Sequence, residues 1–187
     1  MKKYLVNFAA FQVGWFSCVL GAANGMPMLG LAVSFGVVTL HLVSVPRPLP
    51  ELKLVGIAVL MGLVFDSLLV ASGWLRYPSG YFLAGFAPYW ILAMWANFAT
   101  TLNLTMGWLK GRSWLAAVLG GIFGPLTYFG GARLGGIEFV DLAASMIGLG
   151  VVWAISMPLL LVLADRFNGL DTRQPRLRLQ SVSQGEG

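Results

Sequence analysis

Three polar side chains sit where a membrane would leave them no water. Gln12, Asp66 and Asn97 each lie near the middle of a long apolar run. Asp66 matters most, because a carboxylate at such depth costs roughly 2.5–3.5 kcal/mol on insertion scales. It must be paired, protonated or put to work. Small residues share its helical face, with Ala58 and Gly62 before it and Gly73 after it. Such a face lets a neighbouring helix come close, so Asp66 is expected to point into the protein. Asn97, Thr100, Thr101 and Thr105 form a second polar stripe by the same helical spacing. Amide and hydroxyl groups can donate to a carboxyl oxygen. The expectation is a buried polar cluster of Gln12, Asp66, Asn97 and Thr101, with Ser67 beside it. Such a cluster could recognise the polar head of an apolar ligand, or Asp66 could move a proton. The plain alternative is glue between helices, worth about 0.6 kcal/mol per bond.

The elements that must position these residues are written in the composition. The chain is 58% hydrophobic and 10% charged, where soluble domains hold about 25% charged residues. Mean hydropathy is +0.80. These values describe an all-α, polytopic membrane protein. Six apolar runs can be drawn: Tyr4–Gly21, Met26–Val45, Leu54–Leu75, Pro88–Leu109, Trp114–Gly130 and Phe139–Ala164. Each approaches the roughly 17–25 residues that a spanning helix needs. The runs are continuous and do not alternate, so a barrel is excluded. A compact six-helix bundle over residues 1–164 is predicted.

The links orient the bundle. Ten of the twelve basic residues, among them Lys2, Arg47, Lys110 and Arg166, fall on one side; only Arg76 and Arg133 fall on the other. The positive-inside rule then puts both termini in the cytoplasm. The basic residues flank apolar runs and form no single patch, so nucleic acid is not expected as a partner. Trp74, Tyr77, Tyr81, Tyr89 and Trp90 crowd the outer ends of runs three and four, as headgroup-level rings do. They could also line a lipid-facing cleft. Lys2, Lys3 and Gly21-Ala22-Ala23 resemble a cleavable signal segment. Gln12 and the bulky Phe8, Phe11, Trp15 and Phe16 favour a retained helix. Residues 165–187 turn polar and are expected to form a disordered cytoplasmic tail without activity.

Other residues are less specific. Cys18 is single and sits in an apolar run, so it reads as an inert buried thiol. One Cys and one His give no metal-site spacing, and no metal or cofactor is expected. His41, near the end of run two, reads as an interfacial or hydrogen-bonded residue. Gly120, Gly124 and Pro125 suggest close packing and a kink in run five. Arg133 could pair with Glu138 and Asp141, or hold a lipid phosphate. Tyr128 and Trp90 are its candidate companions at a headgroup. No nucleophile elbow, P-loop or zinc signature occurs.

Two stretches carry a resemblance. One runs from Asn7-Phe8 through Gln12-Val13-Gly14-Trp15-Phe16-Ser17-Cys18-Val19-Leu20-Gly21-Ala22. The other is Gly121-Ile122-Phe123-Gly124-Pro125-Leu126-Thr127-Tyr128, followed by Gly131-Ala132-Arg133-Leu134-Gly135. With Asp66 and Pro88-Tyr89-Trp90, the chain over roughly residues 5–165 resembles the bacterial inner-membrane family called domain of unknown function 2878. The resemblance implies the bacterial inner membrane, a lipid context and no assigned activity. It carries over no catalytic residue. Three functions fit: a protein that binds or moves a lipid or other apolar compound, a small lipid-modifying enzyme or accessory subunit with Asp66 as acid–base group, and a membrane scaffold. Membrane lipids are the expected partners, and an apolar small molecule is a candidate ligand. The lack of a second titratable group beside Asp66 weighs against the enzyme.

Overall fold

A computed structural model describes residues 1–170. Its helices are α1 (Lys2–Ala23), α2 (Pro27–Ser44), α3 (Pro48–Ala71), α4 (Tyr89–Leu102), α5 (Ser113–Arg133) and α6 (Leu142–Arg166). A 3₁₀ turn over Gly107–Leu109 precedes α5. Two short strands, β1 (Leu75–Arg76) and β2 (Glu138–Phe139), pair antiparallel, Leu75 opposite Phe139. They join the α3–α4 link to the α5–α6 link, and Ser79 Oγ donates to Ala22 O, which adds the α1–α2 turn. This end is the hairpin pole. The other two connections, the start of α1 and the end of α6 gather at the terminal pole.

Five helices, all but α4, are long and apolar enough to cross a membrane. At most 33% of any of those five spans is buried, so most of their apolar surface faces outward. The protein is a multi-pass membrane protein. α4 departs from expectation. The apolar run Pro88–Leu109 forms a helix of only 14 residues, about 21 Å at 1.5 Å per residue. It ends where Thr100 and Thr101 begin to satisfy backbone groups locally. Thr100 Oγ1 and Thr101 Oγ1 each donate back to a carbonyl one turn earlier, which competes with helix continuation. α4 is the central element, with Trp90, Ile91, Trp95, Asn97 and Leu102 all buried.

α3 begins earlier than expected. Pro48 opens the helix, where a missing N–H is harmless, and Glu51 lies in the first turn. Asp66 is therefore not at mid-helix but little more than a turn from the hairpin end. Gly73 lies beyond that end and is exposed. α5 runs unbroken through Pro125. α6 starts on a side-chain cap, Ala144 N donating to Asp141 Oδ1 at 3.0 Å.

The helices divide into two groups. α1 packs on α2, and α4 packs on α1, α2 and α3. α5 packs chiefly along α6 and touches α1 and α4 little. Between α1 and α4 two polar bridges add to the edge-on pair of Phe11 and Phe98. Asn7 Nδ2 donates to Thr100 O at 3.1 Å, and Asn97 Nδ2 returns a bond to Phe11 O at 3.0 Å. Of the expected tail, residues 165–166 finish α6 and the segment to 170 folds back on the terminal pole. Residues 171–187 lie outside the described part.

Candidate functional site

Asp66 is 1% exposed and accepts three hydrogen bonds from three elements. Tyr77 Oη and Tyr128 Oη each donate to Oδ1 at 2.7 Å. Trp95 Nε1 donates to Oδ2 at 2.7 Å. Tyr77 comes from the α3–α4 link, Trp95 from α4 and Tyr128 from α5. Among the described residues no cation pairs with Asp66. Three uncharged donors thus do the work of a counter-charge. Trp95 can only donate, whereas the two phenols can donate or accept.

Trp95 and Tyr128 also face a cavity of about 340 Å³. Its walls come from α1 (Phe11, Trp15), α4 (Met94, Trp95, Phe98), α5 (Leu119, Phe123, Tyr128) and α6 (Trp153, Met157), with Met106 and Trp108 at its terminal end. No charged side chain lines it. Its two lining hydroxyls are engaged: Thr127 Oγ1 donates to Phe123 O and Tyr128 Oη to Asp66. The surface offered is hydrocarbon, sulfur and ring. Exposed Phe123 and Trp108 mark its rim. The volume falls in the range of small-molecule and lipid-chain sites.

Two glycines set the back wall. Trp95 and Trp153 stack with centroids 4.8 Å apart and planes 9° from parallel. A methyl group on Gly62 of α3 would stand 2.6 Å from Trp95 Nε1, and one on Gly124 of α5 would press into the Trp153 ring from the other side. The indole pair is thus sandwiched between two bare helix backbones. Gly62→Ala should lower stability by about 1–3 kcal/mol, as overpacking of a filled interior does. Thermal unfolding in detergent, followed by tryptophan fluorescence, would show it as a lowered midpoint. An unchanged midpoint would mean that the indole can move aside freely.

The structure regroups the residues singled out in the sequence. Asp66 does not meet Gln12, Asn97 or Thr101 through a hydrogen bond. Gln12 is half-buried, and no hydrogen bond of its side chain is present among the described residues. Asn97 is fully buried against Gly14 and bridges α4 to α1. Thr101 bonds its own helix. Ser67 Oγ accepts from Ala87 N at 2.9 Å and holds the α3–α4 link. Trp90 is 0% exposed, with Nε1 donating to Ser79 O, so a headgroup cannot reach it. Tyr128 is buried in the Asp66 centre. Arg133 is exposed and lies over the Phe129 ring at 5.1 Å. Neither Glu138 nor Asp141 pairs with it among the described residues.

A second polar node was not legible as one. At the terminal pole Glu51 is 1% exposed. Its Oε1 accepts from Asn103 Nδ2 at 2.7 Å and Gly169 N at 2.8 Å, and its Oε2 meets His41 Nε2 at 3.0 Å. Lys110 Nζ donates to Asn103 Oδ1 at 2.6 Å and lies 3.7 Å from Asp165. Burial pulls the Lys110 ammonium below its usual range, opposed by the charges of Asp165 and Glu51. The available signal was Glu51 itself, a single acid placed in a basic, Pro-rich stretch. Among the described residues no three of His, Cys, Asp and Glu gather to hold a metal.

The family model described as protein of unknown function (DUF2878) matches residues 4–159. No curated protein and no solved structure matches the chain.

Proposed function

The chain belongs to the DUF2878 family, whose description assigns no activity, and we propose that it binds a lipid or other apolar compound in the cleft between α1/α4 and α5/α6. The proposed setting is the bacterial inner membrane with both termini in the cytoplasm. The charge bias of the links supports that orientation, because Lys2, Arg47, Lys53, Lys110 and Arg166 all belong to the terminal pole. The observation that carries the binding reading is the cavity of about 340 Å³. It lies at bilayer depth, is walled by rings and has no charge to repel a hydrocarbon. Arg133, exposed at the hairpin pole, is positioned for a headgroup phosphate. Asp66 is not among the lining residues, which supports binding over acid–base chemistry on an occupant.

A photoactivatable phospholipid, with a diazirine on one acyl chain, tests this on the full chain in nanodiscs. Label should concentrate on cavity residues such as Met94, Phe98 and Leu119. Leu119→Trp, which fills the space without touching the Asp66 centre, should cut that label about tenfold while surface labelling stays. Label spread evenly over the lipid-facing surface in both proteins would overturn the reading.

A further inference from the structure

The cleft has a mouth between α1 and α5, and one polar contact spans the helix groups at that depth. Among the described residues, the side-chain hydrogen bonds joining α5 or α6 to the rest of the protein are few. Ser145 Oγ to Trp74 O lies at the hairpin pole. Lys110 to Ala164 O and Asn103 to Phe167 O lie at the terminal pole. Between the poles only Tyr128 Oη to Asp66 Oδ1 crosses. The remaining interior contacts across the seam include the packing of α3 and α4 on α6 and the rings of Trp95 and Phe98 against Trp153. Ring contacts are not directional enough to fix a separation, since they can slide. The phenol–carboxyl bond can fix one.

We propose that the Tyr128–Asp66 hydrogen bond is the latch of the cleft, setting how far α5 stands from α1 and so admitting a lipid chain sideways from the bilayer. The proposal rests on the reading of the cleft as a lipid-chain site. Asp66 is then a positioning residue that an occupant does not touch. Its location explains the assignment. It stands on α3, in the four-helix group, behind Trp95 and facing Tyr128, whereas the neighbouring Thr127 hydroxyl of α5 is spent on its own helix. α6 is tied at both poles, while α5 is flanked by Gly111 and Gly135, both at positive φ (75° and 86°), where backbone rotation is cheapest. Breaking the latch leaves α5 held chiefly by its packing on α6.

Tyr77 supplies the control. It makes the same bond to the same oxygen at the same 2.7 Å, but from the α3–α4 link, within the four-helix group. Tyr77→Phe and Tyr128→Phe therefore deprive Asp66 equally, and only the second cuts the seam.

The test is the α1–α5 distance by pulsed electron resonance in nanodiscs. Spin labels are placed by Val13→Cys and Ile122→Cys, both exposed positions, in a Cys18→Ala background. Tyr128→Phe should enrich a longer-distance population about tenfold, the value of one ordinary hydrogen bond, and speed diazirine-lipid labelling of the cavity. Tyr77→Phe should keep the distance of the parent. Equal shifts in both variants, or a shift in neither, would overturn the latch. If Tyr128→Phe alone widens the distance while no lipid labels the cavity in any protein, the latch stands and the lipid reading falls. If lipid labels the cavity but the distance ignores Tyr128→Phe, the reverse holds.

Discussion

Asp66→Ala is expected to leave little folded protein, and Asp66→Asn is expected to leave most of it. The alanine variant removes the acceptor of three buried donors at once. Each donor stranded without water costs about 1–3 kcal/mol, and a membrane interior supplies no water to relieve it. The three are coupled through one group, so their costs do not simply add. Even a partial sum is large beside the 5–15 kcal/mol that holds a typical domain together. The asparagine variant behaves differently because of what each donor can do. Trp95 Nε1 must find an acceptor, and the amide oxygen can face it. The amide NH₂ then faces Tyr77 and Tyr128, whose hydroxyls rotate to accept. The measurement is the monodisperse yield and thermal midpoint of each variant in detergent. A midpoint for Asp66→Ala within a degree or two of the parent would show that Tyr77, Trp95 and Tyr128 find other acceptors, and the centre would lose its structural meaning. Collapse of Asp66→Asn along with Asp66→Ala would show that the charge, and not the set of hydrogen bonds, is what the fold requires.

The face that Asp66 takes could be read from spacing, since Gly62 and Ala58 lie one and two turns before it and are buried with it, but its depth could not, because α3 starts at Pro48 and sets Asp66 near the hairpin end. Its partners could not. Tyr77 and Tyr128 lie 11 and 62 residues away and Trp95 lies 29 away, and all three belong to residue types that also populate headgroup belts. A belt ring and a buried donor look alike in a sequence, because both are an apolar body with one polar atom. Trp90 reads as a headgroup ring in the sequence for the same reason, yet it is buried with its N–H on Ser79 O. The polar stripe on α4 was legible as a stripe, yet it turns toward α1 and not toward Asp66. The short echo of Asn7-Phe8-Ala9 in Asn97-Phe98-Ala99 has a local meaning: each asparagine bridges to the other helix's backbone. No repeat follows from it, since α1 packs on α2 while α4 does not pack on α5 in the same way. Six runs were visible because hydropathy is a local sum. The shortness of α4 was not, because it depends on Thr100 and Thr101 side chains bonding carbonyls of their own last turn.

Glu51→Ala is the second large effect, and its character should differ from that of Asp66→Ala. Glu51 ties four parts of the terminal pole: its own α3, His41 of α2, Asn103 at the end of α4 and Gly169 beyond α6. Gly169 packs too closely on this group to carry a side chain, because a methyl group there would meet Glu51 Cγ at 2.6 Å. Arg47 reinforces the same segment, its N–H donating to Gly169 O at 3.1 Å and its Nη2 to Asn168 O at 2.9 Å. Alanine strands one N–H of the Asn103 amide, the Gly169 N–H and the His41 nitrogen, and leaves a buried void besides. A loss of about 3–5 kcal/mol is expected, as for other broken buried pairs. Glu51→Gln should lose far less. Its oxygen can keep Asn103 and Gly169, and its NH₂ can face His41 once the ring presents its bare nitrogen. The distinguishing readout is location. In Glu51→Ala, amide exchange should rise at Phe167–Gly169 and the thermal midpoint should fall, while the α1–α5 distance stays that of the parent. That follows from the fold, because the Glu51 node binds the ends of α2, α3, α4 and α6 and holds no part of α5. A widened α1–α5 distance in Glu51→Ala would mean that the two poles are mechanically one, and that Asp66 does not hold the seam alone.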